Sequence, residues 1–212
     1  MCVSFDERVE VDVLVSSWNG VSEETLAAAL AQPVRQCIEA VLIGSPSNGA
    51  EREQLSGDGL SLVVTTRSAY RHSIVRTFVE ALRSRLPLTE DLKIRIHSAA
   101  QEALMNAVLH GNLRIDGALR GGLDGLIAAQ AIIEARLDAP DIGGAMIRLD
   151  AAWTASDVEI TVRDSGDGYD CSDVRPAAED GASGRGLEIL QVFSDRVTVL
   201  NGGTTVRLEF RR

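Results

Sequence analysis

The spacing of apolar positions changes along the 212-residue chain, and each change marks an element. Residues 10–16 (EVDVLVS) alternate and predict a strand. Residues 22–43 read as a helix, with Ser22 as N-cap, acids in its first turn and Pro33 as a kink. Residues 44–59 (GSPSNGAEREQLSGDG) are polar and rich in Gly and Ser, so a linker and a boundary near residue 58 are expected. A βα unit this short is expected to pack on the rest of the chain or on a partner.

Beyond the linker, residues 60–65 (LSLVVT) predict a strand. Residues 68–85 predict an amphipathic helix with Ile74, Val75, Phe78, Ala81 and Leu82 on its apolar face, broken by Pro87. Residues 89–110 predict a second long helix, N-capped by Thr89 and ended by Gly111 and Asn112. Residues 113–144 form a Gly- and Ala-rich insertion with a short helix near 123–137. Residues 145–153 and 157–163 alternate as two strands, joined tightly enough for an antiparallel hairpin. A glycine-rich loop and a helix at 186–193 follow, and then strands at 196–200 and 204–210 joined through Asn201-Gly202-Gly203. Helices followed by a run of antiparallel strands predict an α+β fold, a two-layer sandwich.

Composition narrows the function. With 45% hydrophobic and 25% charged residues the chain is an ordinary globular one. No apolar run reaches a membrane span, and no secretory signal is visible at the N-terminus. The three cysteines, Cys2, Cys37 and Cys171, have no metal-like spacing, and a reducing cytoplasm is the expected compartment. The net charge of −10 argues against nucleic acid and anionic membrane as partners. Lys93 is the only lysine, and it lies in a glycine-free helical stretch. That excludes a P-loop and a eukaryotic-type kinase, both of which place a lysine on the phosphates.

Three segments carry candidate chemistry. Glu102, Asn106 and His110 recur at four-residue intervals on one predicted helix face. A carboxamide oxygen there can ligate a hard cation and a carboxylate can take a proton, although a plain polar face would look the same. The stretch Asp164-Ser165-Gly166-Asp167-Gly168 follows a strand directly. Its alternate glycines let backbone approach a ligand, and Asp164 can accept a hydrogen bond from an exocyclic amine; an ordinary turn is the alternative. The stretch Gly184-Arg185-Gly186-Leu187 opens a glycine loop into an apolar helix. Free N–H groups and the helix dipole favour phosphate there, and Arg185 can add charge-assisted bonds; a flexible loop is the alternative. Thr204, at the start of the last strand, offers one further hydroxyl.

In this order the segments resemble the Bergerat-fold (GHKL) ATP-binding superfamily: EALMNAVLHGN its N box, DSGDG its G1 box and GRGLEIL its G2 box. Within it the chain is most similar to the anti-sigma-factor serine/threonine kinases. The resemblance covers residues 60–212 with the insertion as a gap, and implies an ATP-binding domain at 59–212 behind an N-terminal extension, 1–58. It implies ATP and Mg²⁺ as cofactors, Asn106 holding the metal, and Glu102 as general base. It further implies that Asp164, Gly166 and Gly168 shape the adenine side, that Gly184, Arg185, Gly186 and Leu187 hold phosphates, and that His110, Gly111, Asn112 and Thr204 line the site. The implied partners are an antagonist protein that receives phosphate and a sigma factor or equivalent regulator, with a homodimer as the assembly. A non-catalytic ATP-dependent binding module, or a histidine-kinase-like ATPase, is the alternative. The insertion, the short acidic lid at 170–183 and the unmatched first sixty residues depart from the pattern. His72 has neither a following acid nor a preceding helical hairpin, so it is not expected to accept phosphate.

Overall fold

The computed structural model describes residues 14–44, 58–115, 122–168 and 185–212. A seven-stranded mixed sheet runs in the order β1-β2-β3-β4-β5-β7-β6. Its strands are β1 (Val15–Trp18), β2 (Gln36–Glu39), β3 (Gly59–Thr65), β4 (Met146–Trp153), β5 (Asp157–Arg163), β6 (Arg196–Leu200) and β7 (Thr205–Arg211). The first three are parallel to one another, and every later pairing is antiparallel. The helices are α1 (Glu23–Ala29), α2 (Thr66–Arg71), α3 (Ile74–Arg83), α4 (Glu90–Asn106), α5 (Gly122–Asp138), α6 (Pro140–Gly143) and α7 (Arg185–Phe193). This is the α+β architecture that the sequence predicts.

Pairing sets which side chains face the helices. Leu60, Leu62 and Val64 stand opposite Ala151, Leu149 and Ile147, and all six are fully buried. Period-two alternation puts their apolar sides in one layer, where they join Phe78, Leu82, Ile96 and Leu104 of α3 and α4 in a single core. The opposite face of the sheet carries a small second cluster of Ile38, Leu42, Val63 and Met146.

The helix expected at 22–43 stops at Ala29 and gives way to β2. Pro33 has no N–H to continue the ladder, and the guanidinium of Arg85 takes up the carbonyls of Leu30 and Val34 at 2.7 and 2.6 Å. Residues 10–13 of the first expected strand lie outside the described residues; β1 begins at Val15. The boundary expected near residue 58 falls between β2 and β3, which are hydrogen-bonded neighbours. Trp18, Leu26, Leu30 and Cys37 share the main core.

The helix expected at 68–85 is likewise two helices, broken where His72 is extended (φ −117°, ψ 156°). Glu23 of α1 reaches into the break. Its carboxylate accepts the Ser73 N–H at 3.0 Å and lies 3.5 Å from His72 Nδ1, so a carboxylate from another helix takes up the backbone N–H just ahead of α3. The His72 ring meets Trp18 edge-on, with centroids 5.3 Å apart.

The insertion is docked. Arg67 donates to Leu137 O at 2.9 Å, Arg71 pairs with Glu134 at 3.0 Å, and Ala129, Ile133 and Leu137 of α5 are buried.

Candidate functional site

Helix α4 starts cleanly, with the Thr89 hydroxyl accepting the Leu92 N–H at 3.2 Å and Glu90 and Asp91 in the first turn. Ala99, Ala100, Ala103 and Leu104 bury one side of it, which leaves Glu102 and Asn106 half-buried on another. Asn106 Nδ2 donates to Glu102 Oε1 at 3.2 Å, so its Oδ1 is the atom left to accept.

Gly186, in the first turn of α7, sits directly on this pair. A Cβ there would lie 2.5 Å from Glu102 Oε1 and 3.0 Å from Asn106 Nδ2. The acid, the amide and the glycine helix therefore meet at a spacing that a larger residue at 186 would permit only by displacing the Glu102 carboxylate. The backbones of Arg185 and Leu187 belong to the same first turn, while their side chains, and Gly184 altogether, lie outside the described residues. The acidic lid and Cys171 lie outside them too.

Past Asn106 the expected α-helical path to residue 110 is replaced by a π-turn over Ala107–Asn112, closed by Leu113 N–H donating to Val108 O at 2.8 Å. Such turns admit one extra residue per coil. The outcome is a close approach: a Cβ on Gly111 would stand 2.6–2.9 Å from the carboxyl atoms of Asp164. His110, by contrast, is exposed.

Asp164 follows β5 and opens a tight turn. Its N–H donates to Thr204 O at 3.0 Å, and its Oδ1 accepts the Gly166 N–H at 2.8 Å. A Cβ on Gly166 would sit 2.5 Å from Gly111 O. Gly168 has φ +76°, and a Cβ there would lie 2.0 Å from Gly202 O, so both glycines are required by close backbone. Burial pushes the Asp164 carboxyl up to about 6, against the pull of the Gly166 N–H. The Thr204 hydroxyl donates to Asn201 O at 3.1 Å, at the turn joining β6 to β7.

Asn112 is buried, and its carboxamide is engaged by protein. Nδ2 donates to Thr66 Oγ1 at 2.7 Å and to Met146 O at 3.2 Å, while Oδ1 accepts the Ser165 N–H at 2.9 Å. Thr66, Met146 and Ser165 are participants that sequence reasoning missed; only the Ser165 position inside the glycine turn gave any signal.

The three segments thus meet through two contacts: Glu102 and Asn106 with Gly186, and Gly111 with Asp164 and Gly166. One stretch of chain, α4 and the π-turn after it, thus touches both glycine segments, with a carboxylate, Glu102 or Asp164, at each contact. Among the described residues no cluster of His, Cys, Asp and Glu could cage a metal. A cation here would take Asn106 Oδ1 and share the rest of its shell with a ligand, the habit of Mg²⁺ on phosphates. A separate concavity of about 730 Å³ lies between α1 and α3, lined by Glu23, Arg76 and Glu80 among others, and includes none of these residues. Among the described residues no helix is long and apolar enough to cross a membrane.

Residues 64–210 match the family model described as the histidine kinase-like ATPase domain. No curated protein matches the chain.

Proposed function

Because the chain belongs to the histidine kinase-like ATPase domain family, an ATP-binding family, we propose that it is a protein serine/threonine kinase of the anti-sigma type. It transfers the γ-phosphoryl group of ATP to a hydroxyl of a partner antagonist and holds a regulator such as a sigma factor until that antagonist competes. The observation that carries this reading is the Glu102–Asn106 pair pressed against Gly186. The fit to ATP·Mg²⁺ rests on three glycines where a Cβ would meet protein atoms, an amide oxygen left to accept, and a helix start beside it. Asn106 Oδ1 would hold Mg²⁺, which supplies charge neutralisation on the phosphates. The N–H groups of the first turn of α7, with Arg185, would hold the phosphates, and Asp164 would accept from adenine N6.

Glu102 Oε2 is free of the Asn106 bond and is the oxygen that takes the proton of the acceptor serine or threonine. The hydroxyl oxygen bonds to the γ-phosphorus, the bond to the β-phosphate oxygen breaks, and ADP leaves. The protein is proposed to act in the cytoplasm as a homodimer.

Labelled ATP, Mg²⁺ and candidate antagonist proteins test this. Phosphate is expected on a partner hydroxyl, and Glu102→Gln should slow transfer by about 10²–10⁴-fold while leaving ATP affinity within about threefold. ATP binding without transfer to any antagonist would favour the second reading, an ATP-dependent binding module. That reading draws on Ile127 and Ile132, exposed apolar residues on a docked insertion helix.

A further inference from the structure

We infer that Asn112 is a positioning residue: it holds the Asp164 turn in place through protein contacts and does not touch the nucleotide. This rests on the reading that Asp164 accepts a hydrogen bond from adenine N6. A carboxamide has two N–H hydrogens and one carbonyl oxygen. In Asn112 both hydrogens are committed, one to Thr66 Oγ1 and one to Met146 O. The Thr66 hydroxyl uses its own hydrogen on Ala145 O at 2.9 Å, so towards Asn112 it accepts. The carbonyl oxygen takes the Ser165 N–H. The residue is 8% exposed, and no donor remains for a ligand.

The bond to Ser165 fixes the peptide that directly follows Asp164. That peptide is also bounded by Asp164 N–H on Thr204 O and by Gly166 N–H on Asp164 Oδ1. The Ser165 hydroxyl donates to Met146 O at 2.9 Å, the same carbonyl that Asn112 uses, so turn, π-turn and β4 are tied at one point. The insertion grips both chain segments that Asn112 bridges. Arg136 of α5 donates to the carbonyls of Leu113 and Arg114, just past Asn112, and Arg67, beside Thr66, donates to Leu137 O. Asn112 therefore sets where the Asp164 carboxylate points from the rear of the turn.

The test uses calorimetric affinities for ATP and for purine riboside triphosphate, which lacks the 6-amino group, together with thermal midpoints. The wild type is expected to prefer ATP by about tenfold or more, because a buried acceptor left without its donor is penalised. Asn112→Ala should weaken ATP by about tenfold and the purine analogue by no more than about twofold, so the preference collapses. Thr66→Val should shift the ratio the same way by a smaller factor, and it carries the test if Asn112→Ala does not fold. Ser165→Ala keeps the backbone N–H and should keep the preference. Variants that melt earlier but retain the wild-type ratio would make Asn112 a packing residue only and overturn the inference. A wild type indifferent to the 6-amino group would instead sink the Asp164 reading and this inference with it.

Discussion

At the Asp164 end of the site the protein holds itself. The turn receives or gives hydrogen bonds to Thr204, Gly166 and Asn112 within 2.8–3.0 Å, and Gly111 closes on the carboxylate from the side. At the Glu102 end one hydrogen bond of 3.2 Å joins two half-buried side chains, and the neighbour across the gap is a glycine. The first end is preorganised: its polar atoms are placed before any ligand arrives, so recognition there needs little reorganisation. At the second end none of the described residues donates to Asn106 Oδ1 or Glu102 Oε2, the oxygens that the proposed cation and acceptor would use. On the proposed reading the fixed end selects the ligand, and the open end leaves room for chemistry.

Two glycine substitutions separate these behaviours with the largest expected effect. Gly166→Ala places a Cβ 2.5 Å from the backbone carbonyl of Gly111, which cannot swing away. It should lower stability by about 1–3 kcal/mol and weaken ATP by about thirtyfold or more, read by denaturant melts and calorimetry. Gly186→Ala meets chiefly the far end of the flexible Glu102 side chain, at 2.5 Å from its Oε1. It should cost less than about 1 kcal/mol of stability, since a rotamer change clears the overlap, yet displace the proposed base. Phosphoryl transfer should then fall by about tenfold or more. Equal stability losses from the two variants would erase the distinction between a fixed and an open end.

The pH dependence sharpens the comparison with a smaller effect. The folded protein raises the Asp164 carboxyl to about 6 from an ordinary 3.8, chiefly by burial. Between those values the native state holds a proton that the unfolded chain has released. The stability of the ligand-free protein should therefore fall as pH rises through about 4–6 and level off above. ATP affinity should move the other way if, as proposed, the ionised carboxylate accepts from N6. At pH 5 about a tenth of Asp164 is ionised, so affinity should drop by about tenfold relative to pH 8. The phosphates of ATP titrate nearby, so the slope is read as the difference between wild type and Asp164→Asn. Asp164→Asn should remove the Asp164 share of both slopes at once, leaving only what the phosphates and the other carboxyls contribute. A stability slope of the same sign as the affinity slope would show that burial does not govern this carboxyl.

Local patterns in the chain were enough for β3 to β7, α4, α5 and α7, because strand alternation, the Thr89 cap and the Gly-Gly turn act within a few residues. The glycine turns and the Glu102–Asn106 spacing were legible for the same reason. What escaped depends on distant partners. Ser73, the residue before α3, gives its N–H to Glu23, fifty residues earlier. Residues 36–39 become a buried strand because β3 lies beside them and Arg85 satisfies the carbonyls before them. The π-turn, which places Gly111 against Asp164, has no composition signature, since AVLHGN is equally compatible with an α-helix end. Asn112 was visible as a helix terminator, but its partners Thr66, Met146 and Ser165 lie 46, 34 and 53 residues away.

The smallest expected effect tests whether the turn bonds, rather than surface charge, fix the Asp164 end. Arg114 reaches Asp167, inside the same glycine turn, with a 2.8 Å ion pair, and it does so from a backbone at φ +49°. Both side chains are largely exposed, so water and salt screen the pair. Arg114→Ala should therefore shift stability by less than about 0.5 kcal/mol and ATP affinity by no more than about twofold in physiological salt. Arg114→Gly should be no less stable than Arg114→Ala: glycine takes a positive φ without the side-chain clash, which offsets its greater freedom in the unfolded chain. If Arg114→Ala instead cost tenfold in affinity, and the loss shrank at high salt, the turn would be held by charge from outside. The contrast between a hydrogen-bonded end and an open one would then have to be redrawn around Asp167.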